Sequence, residues 1–235
     1  RLEKVAAILT ALLLAAGFVV AERLQRLAEV AGYAEPVIYA ESTPFQRIVL
    51  TRKGDDLRLF LNGNLQFSSR DEYRYHEALV HPALGRVANP RNVLILGGGD
   101  GLAAREVLRH PEVRRLTLVD LDPAMTRLFN ESAMLTRLNH GSLADRRMTV
   151  INADAFRWIR AERGRYDAVI VDFPDPVDFS VGKLYTESFY RELNRILAPD
   201  GVAVVQSTSP LVAPRAFWTV ATTMLLYRRI ISSQA

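Results

Sequence analysis

The stretch Val93-Leu94-Ile95-Leu96-Gly97-Gly98-Gly99-Asp100-Gly101 constrains the fold more than any other part of the chain. An apolar run of strand length stops at three glycines, an aspartate and a fourth glycine, and Leu102 to His110 then reads as a helix. Glycines at such a turn allow backbone conformations and close ligand approaches that other residues forbid. In an open α/β sheet that turn lies at the carboxyl edge, where nucleotide-like ligands bind. Asp120 ends the next apolar strand, Arg115–Val119, about twenty residues after Asp100. An acid at that spacing is suited to the two ribose hydroxyls. Leu102 stands where the dinucleotide fingerprint has its third glycine, which favours an adenosyl ligand without a pyrophosphate over NAD.

The rest of the chain continues the same rhythm. Strands are expected at 93–96, 115–119, 148–152, 167–171 and 202–206, and helices at 102–110, 123–138, 154–162, 185–197 and about 214–226. Alternation of this kind predicts a parallel sheet with helices on both faces. Upstream, Val37–Glu41, Arg47–Thr51, Leu57–Leu61 and Leu65–Phe67 read as short strands, with Asn62-Gly63 as a hairpin signal. They predict a small antiparallel β unit, too small to be stable alone, that packs on the sheet domain downstream. Asp71 is a candidate cap for a helix on which Tyr75, Leu79 and Leu84 share a face. The expected organisation is a helical segment over 1–32, a β unit over 33–70 and a sheet domain over 71–235.

Val5 to Ala21 carries no charge. As a helix it would extend roughly 25 Å, at the short end for a bilayer span. A buried helix and a signal peptide are the alternatives, and continuation into the charged stretch Glu22–Glu29 disfavours the signal peptide. A membrane helix is therefore the expectation. Arg1 and Lys4 before it balance Arg23 and Arg26 after it, so charge does not orient it. The net charge of +4 comes with no long basic run, so nucleic acid is not indicated. There is no cysteine, and His76, His81, His110 and His140 show no metal-ligand spacing, so no metal site is expected.

Four acids, Asp100, Asp120, Asp154 and Asp172, each follow a parallel strand. A single such acid is as readily a helix cap, Asp154 most of all because Asn152-Ala153-Asp154 opens a helix. Four in succession along one edge suit a ligand better. After the fourth strand, Asp172-Phe173-Pro174-Asp175-Pro176 holds two carboxylates between prolines that stiffen the loop. Clustered carboxylates repel one another, and a bound cation relieves this, which favours an amine or polyamine substrate.

With these residues in hand, the chain resembles the spermidine synthase (polyamine aminopropyltransferase) family from about residue 36 to 218. The resemblance rests on Thr43-Pro44-Phe45-Gln46, Leu61-Asn62-Gly63-Asn64-Leu65-Gln66, Arg70-Asp71-Glu72-Tyr73-Arg74-Tyr75-His76-Glu77, the Gly97–Gly101 loop with Arg105-Glu106, and Asp172–Pro176. Asp-Phe-Pro-Asp-Pro, Gln206-Ser207-Thr208-Ser209-Pro210 and the apolar N-terminal segment look most like the membrane-attached bacterial branch. On that resemblance the chain begins within the last membrane helix of a longer protein, with its catalytic domain facing the cytoplasm.

The resemblance implies a Rossmann-like, methyltransferase-type sheet. It also implies transfer of an aminopropyl group from decarboxylated S-adenosylmethionine, as co-substrate, to putrescine or a related amine, with no prosthetic group. Asp172 would orient and deprotonate the amine with help from Tyr75, whose alternative is core packing. Gln46, Gly97, Gly98, Gly99, Asp120, Asp154 and Ala155 would bind the nucleoside, and Asp100 the donor's ammonium. Gln66 and Asp175 would hold the acceptor. His76 would contact the donor, with a surface or capping histidine as the alternative. Family members commonly form dimers or tetramers, so the resemblance leaves a homo-oligomer open, although nothing in this sequence shows an interface. Phe173 and Pro174 replace the family's usual serines, and no counterpart of its final C-terminal strands is read after Tyr227. Two other classes remain: a methyltransferase using intact S-adenosylmethionine, and a non-catalytic polyamine- or nucleoside-binding module.

Overall fold

A computed structural model describes residues 10–17, 20–21, 32–174, 179–207, 211, 213–224, 226–227 and 229–233. The chain divides into two compact units, residues 1–42 with 46–68, and residues 43–45 with 69–235.

The first unit holds a four-stranded antiparallel meander in chain order: β1 (Val37–Ser42), β2 (Arg47–Lys53), β3 (Asp56–Leu61) and β4 (Asn64–Ser68). Asn62 (φ 51°) and Gly63 (φ 79°) form the β3–β4 turn, and Leu61 pairs with Asn64 across it. Positive φ at both central residues is the I′ geometry whose twist matches the strands it joins. Ile48, Leu50, Leu57, Leu59 and Phe67 are buried. Arg58 bridges Glu35 (2.8 Å) and Asp56 (2.9 Å), and Ser68 Oγ donates to the other Asp56 oxygen.

Residues 10–17 and 20–21 are helical, with Leu12, Leu13 and Leu14 exposed. Among the described residues no helix is long and apolar enough to cross a membrane. Most of the expected 1–32 segment lies outside the described residues.

The second unit is a six-stranded, all-parallel sheet in the order β10-β9-β8-β5-β6-β7. Its strands are β5 (Asn92–Gly97), β6 (Arg115–Asp120), β7 (Met148–Asn152), β8 (Tyr166–Asp172), β9 (Leu197–Gln206) and β10 (Ile230–Ser233). Helices 72–84, 102–108, 123–131, 133–138, 155–161, 187–196 and 214–224 connect or flank them. In the two central strands, Val93–Leu96 and Ala168–Val171 are fully buried. Continuous burial explains why these strands read as uninterrupted apolar runs rather than alternating ones. Phe189, Tyr190, Leu193 and Ile196 carry the buried face of helix 187–196. This is the expected Rossmann-like, methyltransferase-type fold.

Three details depart from the sequence reading. The helix expected over 123–138 breaks at Ser132, which is extended (ψ 114°). Asp71 precedes helix 72–84 but makes no side-chain cap hydrogen bond. A sixth parallel strand, β10, forms where two arginines discouraged a strand assignment. Arg229 there accounts for the miss: its guanidinium donates to the carbonyls of Ala198 (2.6 Å), Pro199 (3.1 Å) and Asn194 (3.2 Å), fastening the strand to its neighbour.

Candidate active site at the carboxyl edge

The site grows from the glycine loop after β5. Gly97 (φ +85°) and Gly98 (φ +64°) adopt backbone conformations that L side chains rarely take. Space forbids a side chain as well, because a Cβ on Gly97 would fall 2.1 Å from the Asp172 carbonyl oxygen. A Cβ on Gly98 would sit 3.1 Å from Asp172 Oδ2, and one on Gly99 2.7 Å from the Asp120 carboxylate. The three glycines thus let β5 run directly between the two acids that end β8 and β6. Register sets the pairing: Gly97 lies opposite Asp172, and Asp120 opposite Asn152.

Each acid is held by the loop it serves. Asp120 accepts hydrogen bonds from the Gly99 N–H (3.0 Å) and the Asp122 N–H (2.8 Å). Asp100 accepts from Leu102 N–H (2.9 Å), and its carbonyl accepts from Asn139 Nδ2 (2.9 Å). Burial pushes both carboxyls up, each to about 6, and the neighbouring carboxylates add to the rise. For Asp100, charge on His76 works in the opposite direction.

Helix 72–84 delivers the opposing side. Tyr75 Oη donates to Asp172 Oδ1 at 2.5 Å. Burial, then the Asp172 charge, raises the Tyr75 phenol well above its ordinary range. The phenol therefore stays protonated and donates its hydrogen bond to the carboxylate. His76 packs edge-on to Tyr75 with ring centroids 4.9 Å apart. Its Nδ1 lies 2.8 Å from Glu72 Oε2 and 2.8 Å from the Glu72 carbonyl, so Nδ1 carries the hydrogen and donates it. Burial alone would lower His76, but the Glu72 hydrogen bond, Asp100 and Asp172 together raise it. Tyr185 Oη lies within hydrogen-bond distance of the Pro174 carbonyl (3.1 Å) and of Gln206 Oε1 (3.3 Å).

Behind His76 lies a buried pair to which the sequence pattern assigns no role. Arg105 donates two hydrogen bonds to Glu72, at 2.7 and 3.0 Å, and one to Glu106 at 2.8 Å. It also reaches the Leu138 carbonyl at 2.9 Å. With Arg105 fixed this way, Glu72 is locked toward His76, and the imidazole has one tautomer and one orientation.

Asp154 is arranged differently. It caps helix 155–161 through Arg157 N–H (3.0 Å) and pairs with Lys183 Nζ at 2.6 Å. Burial alone would raise its pKa, but the Lys183 hydrogen bond and charge together with the backbone donors lower it. The helix-cap alternative for Asp154 is thus realised, and Ala155 is buried in the first turn that it caps. Gln46 and Gln66 belong to the β unit, where Gln66 Nε2 donates to the Asn64 carbonyl (3.2 Å). Asp175 lies outside the described residues. Tyr75, His76, Asp100, Asp120 and Asp172 are the predicted residues that the sheet edge and helix 72–84 bring together.

The histidines show no metal-ligand spacing in sequence, yet Glu77, His81 and Glu106 place one ligand atom each within 4.8 Å of one another. Glu106 comes from a second helix, so linear spacing does not reveal the group. Arg109 Nη1 bonds Glu106 (2.7 Å) and Glu77 (3.3 Å) and already supplies the counter-charge there.

Comparison with known proteins is consistent with this geometry. The profile described as the spermine/spermidine synthase domain matches residues 72–233. The chain belongs to the spermine/spermidine synthase family. It is 54% identical over 211 residues to polyamine aminopropyltransferase 2 of Ralstonia nicotianae, covering 90% of this chain and 41% of that protein. It is 57% identical over 212 residues to polyamine aminopropyltransferase 1 of Streptomyces coelicolor, covering 88% of this chain and 40% of that protein. This chain therefore spans about two-fifths of the length of these curated relatives. Among solved structures, a spermidine synthase in complex with the transition-state analogue AdoDATO aligns with a TM-score of 0.76 at 30% identity. That alignment covers 81% of this chain and 64% of the other.

Proposed function

We propose that this chain carries the catalytic domain of a polyamine aminopropyltransferase. It would move the aminopropyl group of decarboxylated S-adenosylmethionine to putrescine or a similar amine. The observation that carries the reading is the Tyr75–Asp172 pair, set against the glycine loop and Asp100 in a member of this family.

In the proposed step an amine nitrogen attacks the methylene beside the sulfonium. The new C–N bond forms as the C–S bond breaks, and the bond pair leaves on sulfur as neutral methylthioadenosine. The proton shed by nitrogen goes to Asp172. Tyr75 occupies Oδ1 as a donor, which leaves Oδ2 for the amine. Asp120 accepts from the ribose hydroxyls with lone pairs that its two backbone donors leave free. Asp100 binds the ammonium of the aminopropyl chain, and an anion there disfavours a donor that still carries its carboxylate. Asp154 reaches the adenine amino group alongside Lys183. Much of the acceleration comes from holding two cations in line, since orientation alone is worth several kcal/mol. The Asp-Phe-Pro-Asp-Pro loop and the uncharged run Val5–Ala21 support membership of the membrane-attached branch, with that run in the bilayer and the sheet domain in the cytoplasm.

Release of methylthioadenosine from decarboxylated S-adenosylmethionine, measured with putrescine, cadaverine, agmatine and spermidine in turn, tests the reading. The expected result is release that depends on one amine and is absent with intact S-adenosylmethionine. Methyl transfer from the intact donor would overturn it in favour of a methyltransferase. Methylthioadenosine binding without turnover with any amine would overturn it in favour of a binding module.

A further inference from the structure

The opposite edge of the same sheet gathers arginines. Arg165, Arg91, Arg114–Arg115 and Arg146–Arg147 stand at or just before the starts of β8, β5, β6 and β7, which are four consecutive strands of the sheet. Backbone hydrogen bonds fix the row: Arg114 and Arg115 N–H both donate to the Arg91 carbonyl, and Leu116 N–H donates to that of Arg147. Asn92 Nδ2 donates to the Arg165 carbonyl. Pro111, Val113, Arg114, Arg146 and Arg147 line one shallow concavity here, and Asn92, Arg115 and Arg165 contribute to a second. Arg91, Arg114, Arg115, Arg146, Arg163 and Arg165 are exposed.

Four acids, Glu112, Asp145, Glu162 and Asp167, share this edge with seven arginines, so it keeps a net positive charge. Asp167 accepts from the Arg91 and Asn92 N–H groups, and Glu162 from the Arg163 and Gly164 N–H groups. Asp145 is taken by Arg147 at 3.0 Å. Arg91, Arg114, Arg115 and Arg146 form no ion pair among the described residues. Strands about 4.8 Å apart put these charges in a row roughly 14 Å long, wider than one phosphate and suited to a surface of many.

We propose that this basic edge docks on an anionic phospholipid surface. The sequence itself points to a bilayer as the source of that surface, because the chain also carries the uncharged apolar run Val5–Ala21 followed by Arg23 and Arg26. Docked this way, the sheet turns its row of arginines to the headgroups and its acidic carboxyl edge to the aqueous side. Substrate cations then reach Asp100 and Asp172 from solvent rather than competing with the membrane's counter-ions. The proposal does not rest on the transferase reading, and its test uses no turnover.

Co-sedimentation of the full chain with vesicles of phosphatidylcholine alone, and with about one-third phosphatidylserine, tests it. Binding is expected only with phosphatidylserine, and to weaken as salt is raised toward 1 M. Arg114→Glu with Arg146→Glu is expected to weaken it at least about tenfold, since each basic residue near such a surface contributes about fivefold. Arg137→Glu with Arg191→Glu, matched in charge but placed on helices, should bind nearly as the parent does. Equal binding to both vesicles, or equal loss in both double variants, would overturn the proposal. So would salt-sensitive binding to single-stranded RNA with no preference for phosphatidylserine.

Discussion

Tyr75 and Asp172 come from segments ninety-seven residues apart and meet at 2.5 Å, and burial sets their division of labour. The phenol is held protonated and donates its hydrogen to the carboxylate. Asp100 carries the opposite tension. Burial raises it to about 6, so above that pH the ligand-free fold bears a buried charge that it would shed if it could. The raised folded value means native stability grows as pH falls from about 6 toward the unfolded value, and is lowest where Asp100 is ionised. Asp100→Asn is therefore expected to raise the thermal midpoint by about 2–4 °C at pH 7.5. That gain should shrink as pH falls below about 6 and be gone only near the unfolded value of 3.8, and scanning calorimetry at pH 7.5 and about 4 checks it. Ligand binding has the reverse dependence, because Asp100 and Asp120 must be ionised to hold an ammonium and two hydroxyl donors. Methylthioadenosine affinity, measured by titration calorimetry, should fall as pH drops through about 6. Asp120→Ala should weaken that affinity at least about tenfold at pH 7.5, roughly 1.4 kcal/mol. These acids were legible because each ends an apolar strand. Glu72 and Arg105 were not, since their pairing depends on how helices 72–84 and 102–108 pack.

Among the elements, the β5 loop bears the most constraint. Gly97 combines φ +85° with a carbonyl oxygen 2.1 Å from where a Cβ would lie, whereas Gly54 (φ +62°) has open space around it. Gly97→Ala should destabilise the sheet domain by about 3 kcal/mol or more, and Gly54→Ala by about 1 kcal/mol, as read by chemical denaturation. Similar losses in the two variants would contradict the close approach of β5 to Asp172. The Asn62-Gly63 turn was readable because two residues in sequence determine its geometry. The break at Ser132 was not, because the apolar pattern continues across it into Ala133–Leu138. β10 was missed for a related reason. Its register comes from contacts that Arg229 makes with the carbonyls of residues thirty and more positions earlier.

On the scale of the sheet domain, charge is segregated along the strand direction. The carboxyl edge gathers Asp100, Asp120, Asp122, Asp154 and Asp172, and the amino edge gathers arginines. Strand polarity makes this segregation available from sequence, because every parallel strand begins at one edge and ends at the other. Which acid does chemistry and which caps a helix is not available that way. Asp154 and Asp172 look alike as residues after strands, yet one pairs with Lys183 and the other with a buried phenol. The central claim is that Asp172 serves transfer rather than nucleoside binding. It is tested most directly by measuring, in Asp172→Asn and the parent protein, both the aminopropyl transfer rate and the affinity for methylthioadenosine. Transfer is predicted to fall at least about 100-fold while the affinity stays within about threefold. A parallel loss of both, or transfer that survives the substitution, would contradict the assignment.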